Sequence, residues 1–428
     1  MSDFPRDLPP LAIVRLRLPI WLVAPLLVFT LLFGAGGGLL AGYVFSRPTG
    51  CPDSPEVCQE FTAFWETWRI ARDNFVDPKA VAPEQMISGA INGMLDTLGD
   101  QGHTRYMSPR EATAWDESLS GSFEGIGAYI DVRAGQTMIV NPIEGSPAEQ
   151  AGLKPGDAIL AVDGVSTEGW SVAQLSSKVR GPAGTSVVLR IRHEGAVAAV
   201  EVTITRAKVV VPSVTWRMLP DQVAMVRLSS FDHNASDQIK RALQEAQDKG
   251  ARAIILDLRN NPGGLLDEAV NIASQFLPEG TTVLLEANRA GDRQPTKTKP
   301  GGVALGLPLV VLVNHNSASS SEILSGALQD AARATLVGAS TYGTGTVLTP
   351  YRIGGGGRLL LGTQQWLTPQ GRLIRGQGVA PDVKVELQDS VAPLSPVEAA
   401  ALDAAQLRSS ADVQLARAVE LAAKAASK

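Results

Sequence analysis

Between Leu307 and Ala331 the hydrophobic period of the chain changes once. Leu307 to Val313 is a nearly continuous apolar run rich in Val and Leu, the pattern of a strand buried on both faces of a parallel sheet. Asn314 to Ser321 is small and polar. From Glu322 onward, Ile323, Leu324, Ala327, Leu328 and Ala331 fall on one face of a helix. A buried strand therefore hands over to a helix N-terminus through a serine-rich turn. There the free N–H groups and the positive end of the macrodipole favour developing negative charge. A nucleophilic serine at this point would find part of an oxyanion hole in the backbone. Ser319-Ser320-Ser321-Glu322 also reads as a capping box, with Ser319 as N-cap and Glu322 reaching back. Both readings stand on pattern alone.

The same alternation extends on either side. Strands are expected at 223–228, 253–257, 281–286, 307–313, 335–337 and 358–362, and helices at 236–249, 266–276 and 322–333. Together they predict an α/β core over residues 207–386, built on a largely parallel sheet with crossovers. Residues 115–206 differ: from Phe123 on, short alternating strands are separated by glycine-rich turns. Residues 56–114 carry apolar positions at helical spacing, first Phe61, Phe64, Trp65 and Trp68, then Met86, Ile87, Ile91, Met94 and Leu95. They read as a helical module that packs on something larger. Residues 395–428 are Ala-rich and helical by composition, suited to pack on the core or on a second copy in a homodimer.

Pro19 to Phe45 holds no charge for 27 residues, enough for a helix to cross a hydrocarbon core of about 30 Å. Arg6, Arg15 and Arg17 precede it; Asp53, Glu56 and Glu60 follow. The positive-inside bias puts residues 1–18 in the cytoplasm and the rest beyond a bacterial-type cytoplasmic membrane, crossed once. A cleavable signal peptide is the alternative; its apolar core should be shorter, and no Ala-x-Ala site follows Phe45. Cys51 and Cys58, the two cysteines, form a disulfide candidate in an oxidising compartment. With no histidine nearby they make a poor metal site. A net charge of −5 leaves no electrostatic footprint for nucleic acid.

Residues 316–347, beginning Asn316-Ser317-Ala318-Ser319-Ser320-Ser321-Glu322, resemble the signature of the carboxyl-terminal (tail-specific) processing proteases. These are serine peptidases on a crotonase-like (ClpP/crotonase-type) core. The resemblance makes Ser319 the nucleophile. In most of that family the base is a Lys twenty-five residues later in a Gly-Lys-Gly turn, followed by a Gln. Here the two slots hold Thr344 and Leu348. A threonine hydroxyl has no useful basicity at neutral pH.

The segment 98–112 contains Gly102-His103-Thr104, which looks more like the related tricorn-type core, where a histidine from this segment is the base. His103 maps onto it, and an imidazole titrating near pH ~6.5 suits the task. The other histidines fit less well: His193 at a hairpin turn, His233 before a helix, His315 four residues before Ser319. Asp257-Leu258-Arg259-Asn260-Asn261-Pro262-Gly263-Gly264 matches the family loop whose glycine amides complete the oxyanion hole. The implied donors are Gly263 N–H and Ser320 N–H, with Gly264 adjoining. Trp366 to Asp382 follows the family's closing segment.

Residues 123–206 resemble a PDZ domain, with Gly125-Ile126-Gly127-Ala128 as its carboxylate-binding loop and Val172 to Val179 as the groove-lining helix. The resemblance implies a membrane-anchored endopeptidase acting on proteins or peptides with exposed C-termini, without metal or organic cofactor. The alternative, raised by Thr344 and Leu348, is an inactive PDZ scaffold.

Overall fold

The computed structural model describes residues 53–100, 103–133 and 135–427. The stretch 1–18 expected in the cytoplasm, the apolar segment 19–45 and Cys51 of the Cys51–Cys58 candidate lie outside them. Among the described residues no helix is long and apolar enough to cross a membrane. Two compact units divide at Met86 and Ile87.

The first unit contains the helix Pro55–Asn74, started by Ser54, whose side chain accepts from Val57 N–H, and by a proline in its first turn. None of its residues is buried, and Phe61, Phe64 and Trp65 stack edge to face along it.

The second unit is built on a six-stranded sheet in the order 214–219, 223–228, 253–257, 309–313, 335–338, 383–384. All neighbours are parallel except the first pair, a hairpin. Side chains alternate between the faces of these strands and so feed two cores. Val226, Leu256 and Val311 face one way, against the helices Ala235–Asp248, Leu266–Phe276 and Ser320–Asp330. Met225, Ile255, Val310 and Leu312 face the other way, against Leu407, Leu415 and Val419 of the C-terminal helices. The Ala-rich tail thus packs on the core of its own chain.

One expectation fails here. The alternation of strands and helices predicts a largely parallel sheet that includes 281–286 and 358–362, but these strands belong to a second, antiparallel one. Its order is 105–107, 358–367, 282–287, 293–297, with 346–352 along the other edge of 358–367. Short turns join 287 to 293 and 352 to 358, and such turns connect only antiparallel neighbours. The strand 105–107 lies inside the stretch read as a helical module. It anchors the residues just before it beside the core.

The glycine-rich region forms its own five-strand path, 128–133, 136–142, 158–162, 186–192, 200–205, over a separate apolar core. The helix Val172–Val179 falls where the spacing puts it, with Leu175 and Val179 buried. A two-stranded ribbon, 122–125 with 207–210, joins entry to exit.

Candidate active site

Ser319 ends the turn after the buried strand 309–313 and begins the helix 320–330, at φ 53° and ψ −116°. This region is sparsely populated for any side chain but glycine's and costs about 1–3 kcal/mol, so the surroundings must enforce it. They do so on both sides. Ala318 N–H donates to the Asn261 carbonyl (3.0 Å), and Ser321 Oγ to the same oxygen (2.9 Å). Ser319 N–H donates to Glu322 Oε2 (2.9 Å) and Thr344 Oγ1 (3.1 Å). The reach-back half of the expected capping box is therefore present. Glu322 N–H donates to the Ser319 carbonyl at 2.8 Å.

Glu322 does more than cap. Its fully buried carboxylate also accepts from Thr341 Oγ1 (2.6 Å), Gly343 N–H (2.6 Å), Thr344 N–H (3.0 Å) and Thr344 Oγ1 (2.8 Å). It staples the 341–344 turn to the serine. Sequence reading saw only its local contact, because these donors come from about twenty residues downstream.

The loop after strand 253–257 packs directly beneath the serine. Gly263 has φ 97°, and a Cβ there would lie 2.8 Å from the Ala318 carbonyl and 2.9 Å from Ser320 N. Only glycine allows this approach. The expected donor role of Gly263 does not survive: its N–H donates to Asn261 Oδ1 (2.8 Å), an Asx turn within the loop. Gly264 and Ser320 N–H find no acceptor among the described residues. Arg259, wholly buried, braces the loop. It pairs with Asp257 (2.9 Å) and, across the molecule, with Asp412 (2.8 Å) at the start of the last helix. Burial alone would lower the guanidinium's pKa, but the two carboxylates outweigh it and raise it.

A cavity of about 750 Å³ opens above these elements, lined by Ser319, Ser320, Gly264, His103, Thr344 and Leu348 among others. The strand pairing Arg105↔Leu360 brings His103 to its wall. His103 Nδ1 lies 2.6 Å from Thr346 Oγ1. Thr346 Oγ1 in turn lies 3.2 Å from Asp100 Oδ2, and Asp100 is buried. Burial pushes the His103 pKa below its ordinary value, Asp100 opposes this, and Arg105 adds to it. Ser319 Oγ and the ring share the cavity without a hydrogen bond between them.

Thr344 is buried, its hydroxyl held between Glu322 and the Ser319 backbone. Leu348 packs with Met107 and Leu360. The remaining histidines lie elsewhere: His193 on Asp157 (2.7 Å), His315 exposed beside Glu386, His233 exposed. No group of three metal-ligating side chains occurs among the described residues.

In the 115–206 region, Ile126 and Gly127 N–H have no acceptor among the described residues. Gly125 pairs with Ala207 and Ala128 with Pro142. Gly127 has φ 80°, and a Cβ there would meet Ser146 Cβ at 2.4 Å. Strand 128–133 is an open sheet edge beside the helix Val172–Val179, the geometry on which an extended peptide can add as a strand.

The family model for peptidase family S41 matches residues 222–385, and that for the PDZ domain matches 138–193. The carboxy-terminal processing protease CtpA of Bacillus subtilis is 36% identical over 306 residues, 72% of this chain and 65% of that protein. The chain thus spans just under two thirds of that relative's length. The carboxyl-terminal-processing protease of Synechocystis sp. is 38% identical over 362 residues, covering 83% of this chain and 81% of that one. Among solved structures, the photosystem II D1 C-terminal processing protease shares 29% identity at a TM-score of 0.46, over 80% of this chain and 96% of that one. This chain belongs to the carboxyl-terminal processing proteases of peptidase family S41, serine-type peptidases that here carry a PDZ domain.

Proposed function

We propose that the protein is a serine endopeptidase, held to the membrane by residues 19–45 with its PDZ and peptidase domains outside the cytoplasm. It takes proteins or peptides by their C-termini. The observation that carries this reading is Ser319. A strained serine faces a cavity beside a histidine and two N–H donors that have no acceptor among the described residues. Strain at a helix N-cap has no use in stability alone.

In this reading Ser319 Oγ attacks the carbonyl carbon of the scissile bond while His103 accepts its proton. Gly264 and Ser320 N–H hold the oxyanion. His103 then gives the proton to the leaving amine as the C–N bond breaks, and water hydrolyses the ester by the same route. A substrate C-terminal carboxylate sits against Ile126 and Gly127 N–H, with its last residues paired to strand 128–133. The test is covalent labelling of purified protein by a fluorophosphonate, read by intact mass. One adduct, lost in Ser319→Ala, is expected. No adduct on the wild type would leave the PDZ scaffold.

A further inference from the structure

The Thr346 hydroxyl has one proton and two partners. On one side is the Asp100 carboxylate, at 3.2 Å and 3.3 Å, which accepts hydrogen bonds. On the other is His103 Nδ1, at 2.6 Å. With its proton directed to Asp100, Thr346 Oγ1 offers the ring only a lone pair. Nδ1 must then carry the ring proton, and Nε2 keeps the free pair; the assignment follows from the network around the hydroxyl.

The surroundings favour this direction. Thr104 Oγ1 donates to Asp100 Oδ2 (2.6 Å) and Arg375 Nε lies 3.7 Å from Oδ1. The carboxylate is thereby held as an acceptor. Strands 105–107 and 346–352 lie on opposite edges of 358–367, so Asp100 and Thr346 meet only by crossing that strand. They do so at Gly362, where a Cβ would stand 2.9 Å from Asp100 Oδ2 and 3.0 Å from Thr346 Cβ. The N–H of the same glycine donates to Thr104 Oγ1 (2.9 Å). The contact joins residues more than 240 positions apart through a gap that a missing side chain provides.

We propose that Thr346 and Asp100 are positioning residues for His103, a hydroxyl–carboxylate pair that holds the imidazole as its Nδ1–H tautomer and leaves Nε2 as the basic nitrogen. The inference rests on the reading of His103 as the base and supplies the third group that a serine–histidine pair needs. The charged groups around the ring are Asp100 and Arg105, with Arg375 set against Asp100.

Two measurements on the full chain test it. In ¹⁵N-histidine-labelled protein, the His103 ring signals are assigned by their loss in His103→Ala. The wild type is expected to show a protonated Nδ1, Thr346→Val a mixture of tautomers, and Thr346→Ser the wild-type pattern. Fluorophosphonate labelling should slow by ~10-fold or more in Thr346→Val and ~10²-fold in Asp100→Asn, and recover in Thr346→Ser. A thermal melt confirms that each variant is folded. An Nε2–H tautomer in the wild type overturns the proposal. So does unchanged labelling of Thr346→Val when His103→Ala is slow. Unchanged labelling of His103→Ala removes the base itself, a separate failure that also ends this role for its partners.

Discussion

Thr344 and Thr346 lie two residues apart on the wall of one cavity, both buried, and their hydroxyls face different problems. Thr344 donates to Glu322 and accepts from the Ser319 backbone, so its hydrogen-bonding capacity serves the shape of the serine turn. Thr346 stands between a carboxylate and a ring that can change charge. The first wall of the cavity holds Ser319 in its strained conformation. The second can hold a proton. On the proposed mechanism, geometry and proton transfer fall to separate walls of the cavity.

The comparison can be broken most severely at the serine. Ser319→Ala should abolish both the fluorophosphonate adduct and peptide cleavage, read by mass spectrometry; residual cleavage would place the nucleophile elsewhere. Next, His103→Ala should lower kcat/KM by ~10³-fold. In the wild type, kcat/KM should fall on the acid side with a pKa below the ordinary 6.5, because burial keeps the ring neutral to lower pH. The same sign applies to stability. The unfolded chain takes up this proton before the folded one does, so stability is lost as pH falls from about 6.5 through the lower folded value. His103→Ala should flatten that part of the stability–pH curve in denaturant melts.

Gly362→Ala sharpens the comparison, since its Cβ would press on Asp100 and Thr346 and leave Thr344 alone. A loss of ~10-fold or more in kcat, with KM little changed, is expected from a displaced base. Thr344→Val should have the smallest effect on rate, under ~10-fold, with the acid limb of the pH profile unmoved. It should instead cost about 1–3 kcal/mol in stability, because Glu322 and the Ser319 N–H each lose a partner. A shifted pH profile in Thr344→Val would mean that the two walls are not separate.

Much of this was legible from spacing. The strands 223–228 and 253–257 and the helices 266–276 and 172–179 have the bounds that hydrophobic period and turn residues predict. Those signals are local, and local signals survive folding. What could not be read was which sheet a strand joins: 282–287 and 358–367 have ordinary strand patterns, and only their short connections make them antiparallel. The same divide runs through the site. Ser319 and the glycine loop announce themselves by residue type and order. The loss of Gly263 N–H to Asn261 depends on a side-chain rotation that no spacing encodes, although an Asn two residues before a glycine was a usable hint of an Asx turn. Glu322's five donors and the Asp100–Thr346 contact arise from distant segments, and a threonine in a strand reads as nothing more than a β-former.

Arg259 carries a last implication. Its second carboxylate, Asp412, follows it by 153 positions, and the last helix begins there. On the ribosome the guanidinium emerges long before that partner does. Until then the glycine loop lacks its far anchor, and a buried cation with one counter-charge is a poor foundation for it. Competence to cut would therefore wait until Asp412 has emerged and docked on Arg259. Stalled chains that differ only in whether residue 412 has cleared the exit tunnel should differ in fluorophosphonate capture, and equal capture would dismiss this timing.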